Sequence, residues 1–266
     1  MQKYWHVIKI GFANTLVYRF NFFFRGAFSL IPLLATIYLW RTIYRGQSGP
    51  VAGYSLAGMI SYYLMVTIVD TLTAVNEDDW QIAADIKDGN ISQFLLKPIN
   101  YLTYRLCLFF SGKMIYTAVS LVPVGIFIFC WRHDFVAPAG GLAFSCFLLS
   151  TVLTGFLQFF MSYTMALTAF WLLEVSTLIF MVFALEYIAG GHLFPLNILP
   201  PMLSRLLSCT PFPYQLYFPV GIYLGQVKGA DLWRGLLIQS GWVLFFFILA
   251  RIVWNRGIRK YSAVGG

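Results

Sequence analysis

Three histidines and ten acidic residues carry nearly all the acid–base chemistry this chain can offer, and their spacing does not gather them. His133-Asp134, and Glu186 with His192, are the combinations that could seat an intramembrane enzyme. Catalysis needs a nucleophile, a base and an orienting group within hydrogen-bond reach, and no such constellation is visible. His133-Asp134 therefore reads as a polar turn and His192 as a local hydrogen-bonding residue. Cys107, Cys130, Cys146 and Cys209 lie in or near apolar stretches at no metal-ligand or redox spacing, so they read as core or lipid-facing residues. The one Gly-Lys pair, Gly112-Lys113, has no glycine five positions earlier and is followed by Met114. It cannot form the loop in which successive N–H groups and a lysine surround nucleotide phosphates. No catalytic residue, cofactor site or metal site is expected in this chain.

Asp70, Glu174 and Glu186 stand out for where they fall, late in the second apolar run and at either end of the fifth. An ionisable group in hydrocarbon is a functional candidate by default, and Glu174 and Glu186 are the candidates for a path or gate. Each also lies near a span end, where water or headgroups would solvate it.

The elements that carry these residues belong to a membrane protein. The 266 residues are 59% hydrophobic and 11% charged, with mean hydropathy +0.74, whereas soluble domains carry roughly a quarter charged residues. At about 20 residues per span, apolar runs near 26–44, 55–75, 105–131, 141–165, 170–190 and 235–254 give six expected helices. No internal repeat or linker divides them, so residues 1–266 read as one domain. The net charge of +8 is spread beside the spans, which argues for juxtamembrane anchoring and against nucleic acid. With a cytoplasmic amino terminus, twelve Lys and Arg residues fall inside and six outside, and this bias places both termini in the cytoplasm. No cleavable leader pattern opens the chain, so the first span is expected to serve as the membrane signal. Residues 1–25 are expected to lie flat on the inner leaflet: Trp5, Ile8, Phe12, Leu16, Phe20 and Phe23 share a face opposite Lys3, Asn14, Asn21 and Arg25.

Two stretches break the pattern. Residues 76–99 hold the only dense polar block, with Asn76 as an N-cap, Asp79 in an acidic first turn, and Gly89 as a left-handed stop. Ser92 is positioned to cap a second small element that Pro98 ends. Trp80, Ile82 and Ile86 beside charges suit either a docking surface or a connector packed on its own spans. In the second stretch, residues 190–225, six of the eleven prolines fall between Pro195 and Pro219, with Arg205 the only Lys, Arg, Asp or Glu between Tyr187 and Val227. A chain entering a bilayer without one continuous helix must have its freed N–H and C=O groups satisfied by protein or a wet cavity, and broken hairpins of this kind are common in transporters.

Both stretches resemble the permease subunits of ABC type-2 exporters, in particular a compact six-span branch. Asp85-Ile86-Lys87-Asp88-Gly89-Asn90-Ile91-Ser92 followed by Phe94-Leu95-Leu96-Lys97-Pro98-Ile99 resembles that branch's acidic-Ile-basic-x-Gly-x-Ile loop ending in Leu-x-Lys-Pro. The succession Gly191, Phe194-Pro195-Leu196, Leu199-Pro200, Pro211-Phe212-Pro213-Tyr214, Pro219 and Leu224-Gly225 resembles its second motif; Pro213 interrupts the Phe-Tyr pair, and Val220-Gly221 precede Ile222.

The resemblance implies an all-α integral membrane protein with six transmembrane helices, an amino-terminal interfacial helix, a cytoplasmic coupling helix and an outer re-entrant hairpin between spans five and six. It implies that Trp80, Ile82, Asp85, Ile86, Lys87 and Gly89 couple the chain to two ATPase subunits, which bind ATP and Mg. It further implies a second permease, with a different chain favoured, ATP-driven export, and a bacterial inner membrane. The substrate is unidentified, and a lipid-like or amphipathic one is compatible with the aromatic content. An ion-coupled secondary transporter, which would usually show paired interruptions in two related halves, and a non-transporting membrane scaffold are the alternatives.

Overall fold

In a computed structural model the chain is described over residues 2–46, 49–75, 78–172 and 174–261, the side chains of Gln2, Asp78 and Asp79 excepted. Asn76, the expected N-cap, lies outside these residues, as does the side chain of Asp79.

The described residues form helices α1 (Gln2–Val17), α2 (Arg19–Arg45), α3 (Leu56–Thr73), α4 (Asp78–Lys87), α5 (Ile91–Leu95), α6 (Tyr101–Cys130), α7 (Gly141–Ala166), α8 (Ser176–Ala189), α9 (Pro201–Ser208), α10 (Tyr217–Tyr223) and α11 (Gly229–Lys260). Local chemistry sets several boundaries. Ser55 caps α3 by accepting from Gly58 N at 3.1 Å, and Asn100, two residues after Pro98, caps α6 by accepting from Thr103 N at 3.1 Å. Ser92, expected as a cap, lies one residue inside α5, with its hydroxyl 3.0 Å from Tyr261 Oη.

Among the described residues five helices are long and apolar enough to cross a membrane: α2, α3, α6, α7 with the 3₁₀ turn Leu167–Phe170, and α11. The fifth expected span departs from this pattern. Instead of one helix over 170–190, the chain breaks after Phe170 and resumes as the 14-residue α8, about 21 Å long at 1.5 Å per residue against roughly 30 Å of hydrocarbon. It stops there because Gly190-Gly191 turns the chain sideways: Gly191 has φ +94°, and a Cβ on it would stand 2.6 Å from Tyr62 Oη.

The amino-terminal segment packs against α6. Lys3 Nζ donates to Pro98 O, Asn100 N donates to Tyr4 Oη at 3.3 Å, and Gly11 lies against Ser111 and Gly26 against Ser120. Because these contacts advance together, α1 and then α2 climb along α6 in its own direction, so α1 packs on the bundle along its length. Small residues permit that close approach. On the expected apolar face, Trp5, Leu16, Phe20 and Phe23 are exposed and Ile8 and Phe12 half-buried.

Two cores result. One joins α2, α3, α7 and α11 to the broken segment before α11, and the other gathers Ile82, Ile86, Ile91, Tyr101, Phe159, Tyr163 and Leu167 where α4 and α5 meet α6, α7 and α11.

Candidate functional site: a pinned cytoplasmic helix and a polar cavity

The first half of the site is α4. The sequence presents Trp80, Ile82 and Ile86 as a possible exposed set, but Ile82 and Ile86 are buried against the turn after α7, whereas Trp80 remains 47% exposed. An apolar stripe beside an available apolar surface is driven onto it, so the connector packing prevails for that face. Asp85 is engaged as well. Arg105, 4% exposed, donates from Nη2 to Asp85 Oδ2 at 2.5 Å, from Nη1 to Gln81 Oε1 at 3.2 Å and from Nε to Tyr101 Oη at 2.9 Å, while Tyr101 Oη donates to Asp85 Oδ2 at 2.7 Å. This network rivets α4 to the first turn of α6. Gly89 follows with φ +77°, the left-handed stop expected of it. Trp80, Ala84, Lys87 and Asp88 form the exposed edge of the block.

The second half is the broken segment. Tyr62 Oη donates to Gly191 O at 2.6 Å and Tyr63 Oη to Leu193 O at 2.8 Å, and Tyr217 N donates to Gly190 O at 3.0 Å. Gln239, fully buried on α11, donates to Tyr214 O at 2.9 Å, Ser150 O at 3.0 Å and Thr154 Oγ1 at 3.1 Å, and accepts from Ser150 Oγ at 2.9 Å. These partners satisfy carbonyls that the proline breaks free. Gly191, Pro195, Pro211, Tyr214 and Pro219 are buried, Phe194, Phe212 and Gly225 half-buried, and Pro200 exposed. Since Gly191 meets Tyr62, the segment reaches well along α3 before turning back.

Between these halves lies a cavity of 640 Å³. Its wall includes Asp70, Gln158, Ser162, Glu186, His192 and, on α4, Trp80. His192 Nε2 lies 3.2 Å from Asp70 Oδ1 and its ring stacks on Tyr187 at 4.9 Å, while Gln158 Nε2 stands 3.5 Å from Glu186 Oε1. Glu174, expected early in the fifth span, precedes α8 and is exposed; its carboxylate accepts from Ser176 N at 3.0 Å and from Ser176 Oγ, complementing the positive end of the α8 dipole. Glu174 therefore serves as a cap outside the cavity, whereas Glu186 lines it. His133-Asp134 is the polar turn it was expected to be, with Asp134 paired to Arg41 at 2.6 Å.

Arg105, Tyr62, Tyr63 and Gln239 were not legible as partners. The available signals were an arginine four residues past Tyr101 inside an apolar helix and a lone amide in the apolar run from Gly235 to Ala250.

Apolar helices, a broken segment held among them and a cavity bordered by the connector α4 mark a multi-pass helical membrane protein. Comparison with curated proteins gave no match. The sequence model of the ABC-2 family transporter proteins matches residues 30–265. The chain belongs to that family, which assigns it a permease role in ABC transport, in association with an ATP-binding subunit.

Proposed function

We propose that this chain is one permease of an ATP-driven exporter in a bacterial inner membrane, with six spans if α8 and the broken segment together complete the fifth crossing, and with both termini in the cytoplasm. Two ATPase subunits hold ATP and Mg, and a second permease, a different chain in the favoured reading, completes the path beside α3 and α8. The chain itself performs no hydrolysis.

The observation that carries this reading is the riveted α4. A helix with its inner face locked to α6 and α7, and an exposed edge of Trp80, Ala84, Lys87 and Asp88, can pass a push from a cytosolic subunit into the bundle as one body. In this arrangement Ile82, Asp85 and Ile86 anchor the helix, and Trp80 carries its displacement to the cavity wall. A nucleotide shifts such an equilibrium only by binding the two states differently, so α4 must move between them.

The chain purified from its native membrane is expected to bring an ATPase subunit with it, and Lys87→Glu is expected to weaken that association without lowering the thermal midpoint. An ion-coupled carrier or scaffold would instead be isolated intact without any nucleotide-hydrolysing companion, and that result would overturn the reading.

A further inference from the structure

Resting on the permease reading, we propose that the cavity between α3, α7 and α8 binds an amphiphile whose head is a protonated amine. Hydrogen-bond acceptors gather in its wall. Asp70 and Glu186 bring carboxylates, and two further groups, nine-tenths buried, have unused capacity: Gln158, 5% exposed, whose Oε1 has no hydrogen-bond partner among the described residues, and Ser162, 7% exposed, whose Oγ has none among them. A buried acceptor left without a donor is costly, and natural sites rarely leave one unexplained. An ammonium supplies three donors and no acceptor, the complement of this set. Among the described residues of the wall, these two carboxylates stand against a single Lys or Arg, Arg25.

The rest of the wall fits a tail. Met161, Met165, Ile179, Phe180 and Phe183 line it with polarizable and aromatic surface, and methionine adapts to irregular apolar shapes. Phe180 and Phe183 are 67% and 59% exposed on α8, so the apolar side is continuous with the outward face of that helix. A chain lying along α8 can follow it inward while its head turns toward Glu186. The volume of 640 Å³ lies within the range of roughly 300–1,000 Å³ typical of small-molecule sites.

The test uses the full chain, with whatever subunits accompany it, in lipid nanodiscs. The probe is decylammonium carrying a photoreactive diazirine at its tail, with labelled peptides mapped by mass spectrometry. Labelling is expected on α3, α7 and α8 and should be competed by decylammonium but not by decyl sulfate or decanol. Glu186→Gln and, separately, Gln158→Leu should each raise the half-competing concentration roughly tenfold, the order expected for loss of one charge-assisted contact, with the thermal midpoint unchanged. Equal competition by all three decyl compounds, or labelling confined to other helices, would overturn the proposal. If a variant fails to accumulate, the competition series on the unaltered chain decides alone. An ATPase subunit retained in the same preparation keeps the permease reading standing when the amine preference fails, and its absence removes that reading whatever the probe does.

Discussion

Arg105 illustrates what a single buried charge does in this molecule. Its guanidinium holds Asp85, Gln81 and Tyr101 at once, so Arg105→Ala leaves the Asp85 carboxylate beside the bundle without its counter-charge. Removing one partner of a buried pair costs roughly 3–5 kcal/mol, the same order as burial of Ile82 and Ile86 contributes to holding α4. We expect Arg105→Ala to lower the thermal midpoint and abolish substrate transport. Arg105→Lys, which keeps the charge but not the forked geometry, should restore much of the stability and little of the transport. Equal transport by Arg105→Ala and the unaltered chain would show that the rivet has no part in coupling. Tyr62 offers a gentler case. Tyr62→Phe removes the donor to Gly191 O, and the stranded carbonyl should cost about 1–3 kcal/mol, seen as a lower thermal midpoint with membrane insertion preserved.

Connectors, more than spans, distinguish this fold at the scale of its elements, and they were unevenly legible. The α4 segment could be found because a dense polar block ending in glycine is a local signal, and Gly89 is the left-handed residue it was expected to be. Which face α4 exposes was not legible, since Ile82 and Ile86 are apolar whether they meet a partner or the chain's own α7; only Tyr163 and Leu167, some 80 residues away in sequence, decide the matter. The fifth span misled for a related reason. Apolar composition continues through residues 170–190, but the capping Glu174 and the Gly190-Gly191 turn shorten the helix, and composition does not register where the backbone stops. Gly89→Pro tests the element directly. Proline fixes φ near −65° and cannot adopt +77°, so the exit from α4 must rearrange. The expected outcome in reconstituted vesicles is ATP hydrolysis by the partner subunit that no longer drives transport. Normal transport by this variant would exclude α4 as the coupling element.

Across the whole molecule the organisation is a column of long helices that holds two connecting parts at opposite ends, α4 at one and the broken segment at the other. Gln239 ties that segment to α7 and α11, while Tyr62 and Tyr63 tie it to α3. The general plan could be inferred from hydropathy and proline density, because a proline-rich apolar stretch must borrow hydrogen-bond partners from its neighbours. The identity of those partners depends on helix rotation, which no local pattern encodes. The plan also commits the molecule to an orientation, and Cys209 can report it. This cysteine is exposed just after α9, on the side the charge bias assigns to the outside. Cys130 is exposed too, at the far end of α6. In a chain carrying Cys107→Ser, Cys130→Ser and Cys146→Ser, a membrane-impermeant maleimide should label Cys209 on spheroplasts whose inner membrane is sealed. If it were labelled only after permeabilisation, α4 would lie outside the cell, beyond the reach of any cytosolic ATPase, and the coupling mechanism would have to be abandoned with the topology. Labelling without permeabilisation puts the broken segment and α4 on opposite sides of the bilayer, as transmission from one to the other requires.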